Sequence, residues 1–130
     1  MAHPNVHLVQ GLYAAFQSGD QETLMASIAP DVRWHNSGFD PTAGTYEGIE
    51  AVLGYLVGQN HMDEYRLEVV DILASETQVA VVARTSGRRG DQRLDNEFIQ
   101  LLRVEGGRIQ EVWNYMWDQR AIAEFIPVVA

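Results

Sequence analysis

Two hydrophobic periods divide the chain, a helical one in its first half and a strand-like one in its second half. Apolar residues three and four positions apart predict a first helix with one apolar stripe, made of Val9, Leu12, Tyr13 and Phe16. We expect Asn5 to cap this helix at its start and Gly19 to end it in the left-handed conformation. The sequence therefore predicts both where the first helix begins and where it ends.

Two further helices follow the same rule. Asp20 is placed to cap a second helix, which carries Leu24, Met25 and Ile28 and ends before Pro30. The third helix has an apolar face that ends at Gly58 and consists of Ile49, Val52, Leu53, Leu56 and Val57. Between them we predict a short extended segment, Val32–Asn36, and a loop punctuated by Gly and Pro, Ser37–Gly48.

From residue 65 the apolar positions alternate, which is typical of strands. Four strands are predicted, separated by turn-like sequences: Arg66–Ala74, Gln78–Gly87, Arg93–Val104 and Arg108–Trp117. Asp118 is expected to cap a short C-terminal helix that buries Ile122 and Phe125. We predict a single α+β domain over residues 1–130, in which a curved, mainly antiparallel sheet of four to five strands is wrapped by three N-terminal helices.

A curled sheet covered by helices leaves a space where the sheet opens, and such a space favours a small-molecule pocket. Because side chains alternate between the two faces of a strand, we expect the sets containing Val82, Leu102 and Val112 to face inward. The polar groups that these sets and the entry segment bring into an apolar wall are Asn36, Arg84, Ser86, Gln100 and Asn114. A ligand could satisfy them, and so could ordered water or one another.

Arg84 is the most informative of these residues, since a guanidinium stays charged and needs a partner. It would hold the anionic end of a ligand, or it would form a salt bridge at the edge of a strand. His35 is the His closest to the predicted pocket, and its imidazole suits acid–base chemistry. By alternation it points either into the pocket or away from it, toward the loop Ser37–Thr45.

The other candidate groups have simpler interpretations. His3 and His7 have a metal-compatible spacing, but His3 precedes the helix, so we expect no metal there, and no cofactor elsewhere. His61 falls in a polar loop, and Asp118 is interpreted as a helix cap. The opposite face of the predicted sheet carries four large apolar side chains, which favour a homodimer, or cover by the C-terminal helix or by the tail Pro127–Ala130: Ile99, Trp113, Tyr115 and Trp117.

Composition narrows the range of functions. The 130 residues include 18 acidic and nine basic side chains, for a formal charge of −9, so nucleic acid is not an expected partner. The chain has no Cys, which excludes thiol nucleophiles and zinc–thiolate sites. Without a run of apolar residues that would span a membrane, or a targeting segment at Met1–Asn5, we expect a soluble cytoplasmic protein without a membrane partner.

Several segments together resemble the SnoaL-like, ketosteroid-isomerase-like branch of the NTF2-like superfamily. The opening of the chain is similar through Leu12–Phe16, Gly19-Asp20, Ala29–Val32 and Trp34-His35. Gly44–Gly48 resembles the entry to the family's third helix, and Arg103–Asp118 resembles its closing hairpin. The resemblance spans nearly the whole chain and implies a cone-shaped fold with an internal pocket. Members include isomerases, polyketide cyclases, limonene-type epoxide hydrolases, dehydratases and binding domains.

Most catalytic residues of these relatives fall on positions where this sequence has a different residue type. The oxyanion-holding Tyr of the isomerases falls on Leu12, one step from Tyr13, while their two functional Asp residues fall on Asn36 and Gln100. An isomerase needs a base and a neutral acid, which Asn and Gln do not supply. The cyclases' acid–base Asp falls on Asn114, and their pocket His falls on Gln100.

The limonene-type hydrolases match slightly better. Their Arg and Asn match Arg84 and Asn36, and their Tyr falls on Trp34, but their two water-activating Asp residues fall on Ser86 and Asn114. An amide is not a general base at neutral pH. In the limonene-type positions, as in the isomerase and cyclase positions, a neutral group replaces the carboxylate.

Two hypotheses remain. The first is a cofactor-independent isomerase, cyclase, dehydratase or hydrolase acting on a small apolar substrate of polyketide, steroid or terpene type, with His35, Arg84 and Asn114 as catalytic residues. The pocket would be completed by Tyr13, Trp34, Asn36, Gln100 and Met116. The second is a non-catalytic module that binds a small apolar or carboxylate-bearing molecule, or that serves dimerisation.

Overall fold

The computed structural model describes residues 3–38, 43–59 and 63–121. Among these residues, three helices lie in the first half of the chain: α1 (Pro4–Ser18), α2 (Gln21–Ser27) and α3 (Ile49–Gln59). The six strands of the described residues are β1 (Ile28–Asn36), β2 (Gly44–Glu47), β3 (Asp63–Ala74), β4 (Gln78–Arg89), β5 (Gln92–Glu105) and β6 (Arg108–Met116). A helical turn begins at residue 119; Ile122 and Phe125 of the predicted C-terminal helix lie outside the described residues.

The strands form one sheet in the order β2-β1-β6-β5-β4-β3. All neighbours are antiparallel except β1 and β6, which pair in parallel and so join the first strand of the chain to the last. The predicted α+β class is confirmed, with one strand more than expected. The additional strand is β2, which the sequence predicts as loop; it pairs with β1 through Trp34 and Tyr46, among others.

The predicted cap of α1 is wrong by two residues. His3 is the N-cap, and its Nδ1 accepts a hydrogen bond from the backbone N–H of Asn5 at 3.1 Å. Asn5 lies inside the helix, where its Nδ2 donates to the carbonyl oxygen of Ser75 at 2.9 Å. The other two boundaries are confirmed, since Gly19 has a φ of 74° and Asp20 accepts from the backbone N–H of Thr23.

The second helix is shorter than predicted. Helix α2 ends at Ser27, so that Ile28 and Pro30 belong to β1, and Pro30 stands inside a strand instead of stopping a helix. Leu24 is the buried residue of α2, and Met25 is exposed. The early end of α2 lengthens β1, and β1 supplies one wall of the interior.

The core lies between the helices and one face of the curved sheet, which we call the inner face. Helix α1 contacts β3 and β4, α2 contacts β1 and β6, and α3 contacts β1 and β2. The fully or nearly fully buried side chains come from most of these elements: Val9, Ile28, Val32, Val52, Val79, Val81, Leu102, Ile109 and Val112. Three of the four predicted inward sets are found on the inner face, those of β1, β5 and β6.

The prediction for β4 is wrong. Val79, Val81, Ala83 and Thr85 are buried, whereas Ala80, Val82, Arg84 and Ser86 belong to the opposite set. Residues 79–83 are apolar without interruption, so the alternation that orients a strand is missing there. In the part of the chain that the structure describes, no helix is long and apolar enough to cross a membrane.

Candidate functional site

Three amide side chains lie next to one another on the inner face. Asn36 is on β1, Asn114 on β6 and Gln100 on β5, and these are neighbouring strands. The register places Asn36 opposite Asn114 and Asn114 opposite Gln100. All three side chains are buried. Three of the five polar residues that the sequence predicts to face inward therefore form one row across three strands.

A continuous chain of hydrogen bonds connects these amides. Gln100 Nε2 donates to Asn114 Oδ1 at 2.9 Å, and Asn114 Nδ2 donates to Asn36 Oδ1 at 2.7 Å. We call the row formed by Asn36, Gln100 and Asn114 the amide row. Because each hydrogen bond polarises the next in a region of low dielectric constant, the row is stronger than two separate hydrogen bonds.

Two aromatic residues extend the amide row at its ends. Tyr13, on α1, donates its hydroxyl proton to Gln100 Oε1 at 2.6 Å. Trp34, on β1, donates from Nε1 to Asn36 Oδ1 at 3.1 Å. The family's hydroxyl position falls on Leu12 by counting along the sequence, but the residue that reaches the row in this chain is Tyr13.

The row is electrically neutral, and so is its surrounding. Among the described residues, the buried polar side chains are Asn36, Thr85, Asn96, Gln100 and Asn114, all of them uncharged. Met116, at the end of β6, is partly buried and packs against the apolar core. The described inner face therefore offers hydrogen-bond donors and acceptors without a charge.

Gln100 and Asn114 each have one amide N–H group that makes no hydrogen bond within the described residues. A primary amide nitrogen carries two N–H groups, and the contacts within the described residues use one on Gln100 and one on Asn114. These two residues face each other across β5 and β6. Two neutral N–H donors on adjacent strands are a suitable arrangement for a carbonyl oxygen.

His35 lies on the other face of the sheet, which we call the outer face. Its Nε2 is 2.6 Å from Glu111 Oε2, its Nδ1 is 2.8 Å from Thr45 Oγ1, and its ring stacks on Trp113. Both ring nitrogens of His35 therefore interact with side chains on the outer face, and neither nitrogen is directed at the interior. The expectation that His35 lines the pocket is wrong, since its neighbours Trp34 and Asn36 both face inward.

Glu111 is the acidic partner of His35 on the outer face, and the sequence did not predict this pairing. The hydrogen bond from His35 holds the pKa of Glu111 below its ordinary value of 4.5, and the charges of His35, Arg103 and Arg33 act in the same direction, against partial burial. The available signal was strand alternation, which puts Glu111 and His35 on the same side of adjacent strands.

Arg84 also lies on the outer face, in contrast to the prediction. Its Nε is 3.2 Å from Asp95 Oδ1, and its Nη2 is 3.5 Å from Glu97 Oε1. It lines, together with Ser86, a groove of about 450 Å³ between β3 and β4. The salt bridge at a strand edge, the alternative interpretation of Arg84, is what the structure shows.

Asn96 is a second buried amide on β5, and it has a different structural role. Its Nδ2 donates to the carbonyl oxygen of Asp118 at 3.0 Å, and its Oδ1 accepts from the backbone N–H of Asp118 at 3.2 Å. Asp118 in turn accepts from the backbone N–H of Ala121, which confirms the predicted cap. Asn96 thus fixes the chain as it leaves β6.

The fold is shared with known proteins. A protein of Mycobacterium tuberculosis without an established function, Rv0034, is 30% identical over 124 residues, which cover 93% of this chain and 95% of that protein. The structure of Bal32a, from a soil-derived mobile gene cassette, has a TM-score of 0.89 at 27% identity, covering 95% of this chain and 96% of that one.

A third similar structure is that of IdmH from Streptomyces antibioticus, proposed to be a polyketide cyclase. It has a TM-score of 0.73 at 28% identity and covers 94% of this chain and 98% of that one. The model of the SnoaL-like domain matches residues 9–112, a span that includes the amide row except Asn114. With this match and the curved six-stranded sheet, the chain belongs to the SnoaL-like family of NTF2-like proteins.

Proposed function

We propose that this protein binds a small, uncharged, largely apolar molecule against the inner face, and that the amide row holds an oxygen atom of that molecule. The observation that carries the proposal is the pair of facing amides, Gln100 and Asn114, joined by a 2.9 Å hydrogen bond within an apolar wall. Their second N–H groups are suited to donate to one carbonyl oxygen.

The charge of the ligand follows from the surrounding side chains. An ion that enters an apolar enclosure without a counter-ion loses its hydration at a cost of several kcal/mol. The buried polar groups of the described residues are uncharged, and Arg84, once expected to hold a carboxylate, forms ion pairs on the outer face. We therefore propose a neutral ketone, quinone or lactone as the ligand class, in place of a carboxylate-bearing molecule.

Three bicyclic probes test this proposal by calorimetry: 1-tetralone, which has a carbonyl group, tetralin, which lacks one, and 2-naphthoate, which carries a charge. We expect 1-tetralone to bind about tenfold more tightly than tetralin, the value of one to two hydrogen bonds, and 2-naphthoate to bind weakest. Replacing Gln100 by Leu is expected to remove the preference for the ketone. Tight binding of 2-naphthoate, or equal binding of 1-tetralone and tetralin, would contradict the proposal.

A second candidate function is catalysis of the type proposed for IdmH, which the 28% identity over 94% of this chain favours. The described part of the inner face offers no carboxylate or imidazole to move a proton, and Tyr13 is its sole buried phenol. Enolisation of 1-tetralone in D₂O separates the two functions. Exchange of the α-protons above the buffer rate, lost in Tyr13→Phe, indicates an enzyme; exchange at the buffer rate indicates a binding protein.

A further inference from the structure

Trp34 and Tyr13 lie at opposite ends of the amide row and differ in their hydrogen-bonding chemistry. The indole nitrogen of Trp34 only donates, whereas the hydroxyl group of Tyr13 donates or accepts. A primary amide has a donor end and an acceptor end, so it can be turned to suit either kind of neighbour. The direction of the row is thus restricted at Trp34 and adaptable at Tyr13.

The N–H group of Trp34 determines the orientation of Asn36. Trp34 Nε1 lies 3.1 Å from Asn36 Oδ1, and both side chains are buried. A reversed Asn36 amide would bring its nitrogen to this place, so that two N–H groups would face each other. A buried donor that faces no acceptor disfavours this orientation by about tenfold or more.

The orientation of Asn36 is passed along the row. Because Asn36 presents its oxygen, Asn114 presents Nδ2 to it, at 2.7 Å. The oxygen of Asn114 then faces Gln100, which presents Nε2 at 2.9 Å. The oxygen of Gln100 in turn faces the hydroxyl group of Tyr13, which donates to it. Each amide is oriented by the one before it, and the series begins at Trp34.

A reversed row would make the same hydrogen bonds between its members in the opposite direction. Asn36 Nδ2 would donate to Asn114, and Asn114 Nδ2 would donate to Gln100. Gln100 Nε2 would then donate to the hydroxyl oxygen of Tyr13, because a hydroxyl group accepts as well as it donates. The bonds between these four residues therefore do not distinguish the two directions, whereas the N–H group of Trp34 opposes the reversed one.

The direction of the row decides what a ligand meets at the inner face. In the observed direction the second N–H groups of Gln100 and Asn114 are donors. In the reversed direction the oxygen atoms of these amides would occupy the same places and offer lone pairs. Because the apolar wall holds the rings of a ligand, the polar atom of the ligand comes to one fixed place. The direction therefore determines whether a carbonyl oxygen or an N–H group is bound there.

We propose that Trp34 gives this site its preference for hydrogen-bond acceptors, because its N–H group fixes the direction of the amide row. Trp34 is a positioning residue in this proposal, since it acts on the ligand through Asn36. The proposal rests on the proposed function, in which Gln100 and Asn114 hold an oxygen atom of the bound molecule. The loss of one N–H group at the end of the row should then change the chemical selectivity of the site.

Three probes with one bicyclic skeleton test this proposal by calorimetry: 1-tetralone has an acceptor, 1,2,3,4-tetrahydroquinoline has an N–H donor at the equivalent position, and tetralin has neither. The amine is uncharged at neutral pH, and its lone pair is delocalised into the aromatic ring. For the unmodified chain we expect 1-tetralone to bind about tenfold more tightly than tetrahydroquinoline. Trp34→Phe is expected to reduce this ratio to about threefold or less, because the amine then selects the reversed row and gains affinity relative to tetralin.

Matched variants distinguish the N–H group from the packing of the indole ring. Tyr55→Leu alters the ring that packs against Trp34, with 6.1 Å between the centroids, and keeps the N–H group, so the ratio should not change. Tyr13→Phe removes the hydroxyl group at the adaptable end and should also keep the preference for 1-tetralone. Replacing Trp34 by 3-benzothienylalanine, which has sulfur in place of the N–H group, keeps the ring size and should lower the ratio even if Trp34→Phe does not fold.

The outcomes distinguish this proposal from the proposed function. Equal binding of 1-tetralone and tetralin to the unmodified chain, or no binding of either, overturns both. If the unmodified chain prefers 1-tetralone and the ratio to tetrahydroquinoline persists in both Trp34 variants, the proposed function holds and the role of Trp34 is overturned. A ratio that Tyr55→Leu or Tyr13→Phe lowers to the same extent also overturns that role.

Discussion

The Nε2 atom of His35 lies 2.6 Å from Oε2 of Glu111, on the face of the sheet turned away from the helices. Both side chains are mostly buried, and the guanidinium of Arg103 is a further partner of the carboxylate, with its Nη2 3.4 Å from Glu111 Oε1. The pair joins β1 to β6 from the outside, as the amide row joins the same two strands from the inside. It therefore acts on the stability of the sheet, with a dependence on pH.

Replacing Glu111 by Gln is expected to lower the free energy of unfolding at pH 7 by about 1 kcal/mol, or about 3–5 °C in Tm for a chain of this length. Because the folded-state pKa of Glu111 is depressed, its contribution is fully present above the ordinary value of 4.5 and is lost as the pH falls through the lower, folded value. Thermal melts of both proteins between neutral and strongly acidic pH measure this difference.

The difference in Tm between the unmodified chain and Glu111→Gln should accordingly shrink below about pH 4.5. Glu76→Gln, in an exposed turn, serves as the control and is expected to leave Tm nearly unchanged throughout. A Glu111→Gln difference that stays constant down to the acid limit would exclude the ion pair as its cause.

Replacing Tyr13 by Phe removes the donor of the 2.6 Å hydrogen bond and leaves the buried Oε1 of Gln100 without it. We expect a loss of about 1–2 kcal/mol in the free energy of unfolding, measured by urea denaturation. Tyr115→Phe makes the same chemical change on the exposed outer face and should cost less than about 0.5 kcal/mol. Equal losses in the two variants would show that the contact with Gln100 contributes nothing.

Replacing Asn114 by Asp tests the neutrality of the amide row. The carboxylate introduced by Asn114→Asp would face the acceptor Oδ1 of Asn36, which lies 2.7 Å from the present Nδ2, so burial and repulsion favour the protonated acid. We expect this variant to be about 2–4 kcal/mol less stable at pH 7 and to recover part of the loss as the pH is lowered.

Asn114→Leu distinguishes the effect of an introduced charge on stability from the effect of losing hydrogen bonds. It removes the hydrogen bonds with both Gln100 and Asn36, whereas Asn114→Asp keeps an oxygen that accepts from Gln100 Nε2. Because Asn114→Leu introduces no ionisable group, its destabilisation should not vary between pH 7 and pH 4. Urea denaturation at several pH values compares the two variants. A pH-independent loss in Asn114→Asp would mean that the row tolerates a charge, and it would weaken the argument for an uncharged ligand.

Replacing Arg84 by Ala is expected to leave ligand affinity unchanged within about twofold, because the guanidinium pairs with Asp95 and Glu97 on the outer face. Its ion pairs are half exposed, and such pairs contribute about 0–1 kcal/mol. Calorimetry with 1-tetralone measures the affinity, with Gln100→Leu as the positive control. A tenfold loss in Arg84→Ala would place the binding site in the groove between β3 and β4 instead.

Strand alternation predicted the amide row from sequence because β1 and the first half of β5 alternate. The polar His35 separates Trp34 from Asn36 on β1, and the charged Asp95 and Glu97 alternate with inward residues on β5, so one face of each strand can be identified. On β4 the apolar residues 79–83 fit either face, and the orientation of Arg84 follows only from pairing with β5. Tertiary contacts, not local pattern, decide such a strand.

Two other features also required the tertiary structure. Strand β2 contains a single large apolar residue, Tyr46, and becomes a strand because β1 offers it an edge to pair with. The helical residue that reaches the amide row is Tyr13, although alignment by counting selected Leu12. A rotation of about 100° separates neighbouring residues of a helix, so packing of α1 on the sheet chooses between them.

The parallel pairing of β1 with β6 has a consequence for synthesis on the ribosome. Asn36 and Asn114 are 78 positions apart and meet only when the last strand joins the first. Until about nine tenths of the polypeptide has emerged, β1 has no β6 beside it, and a long loop must close before the contact forms. Nascent chains halted before β6 are therefore expected to lack the complete amide row, however well the helices and the β3–β5 meander have formed.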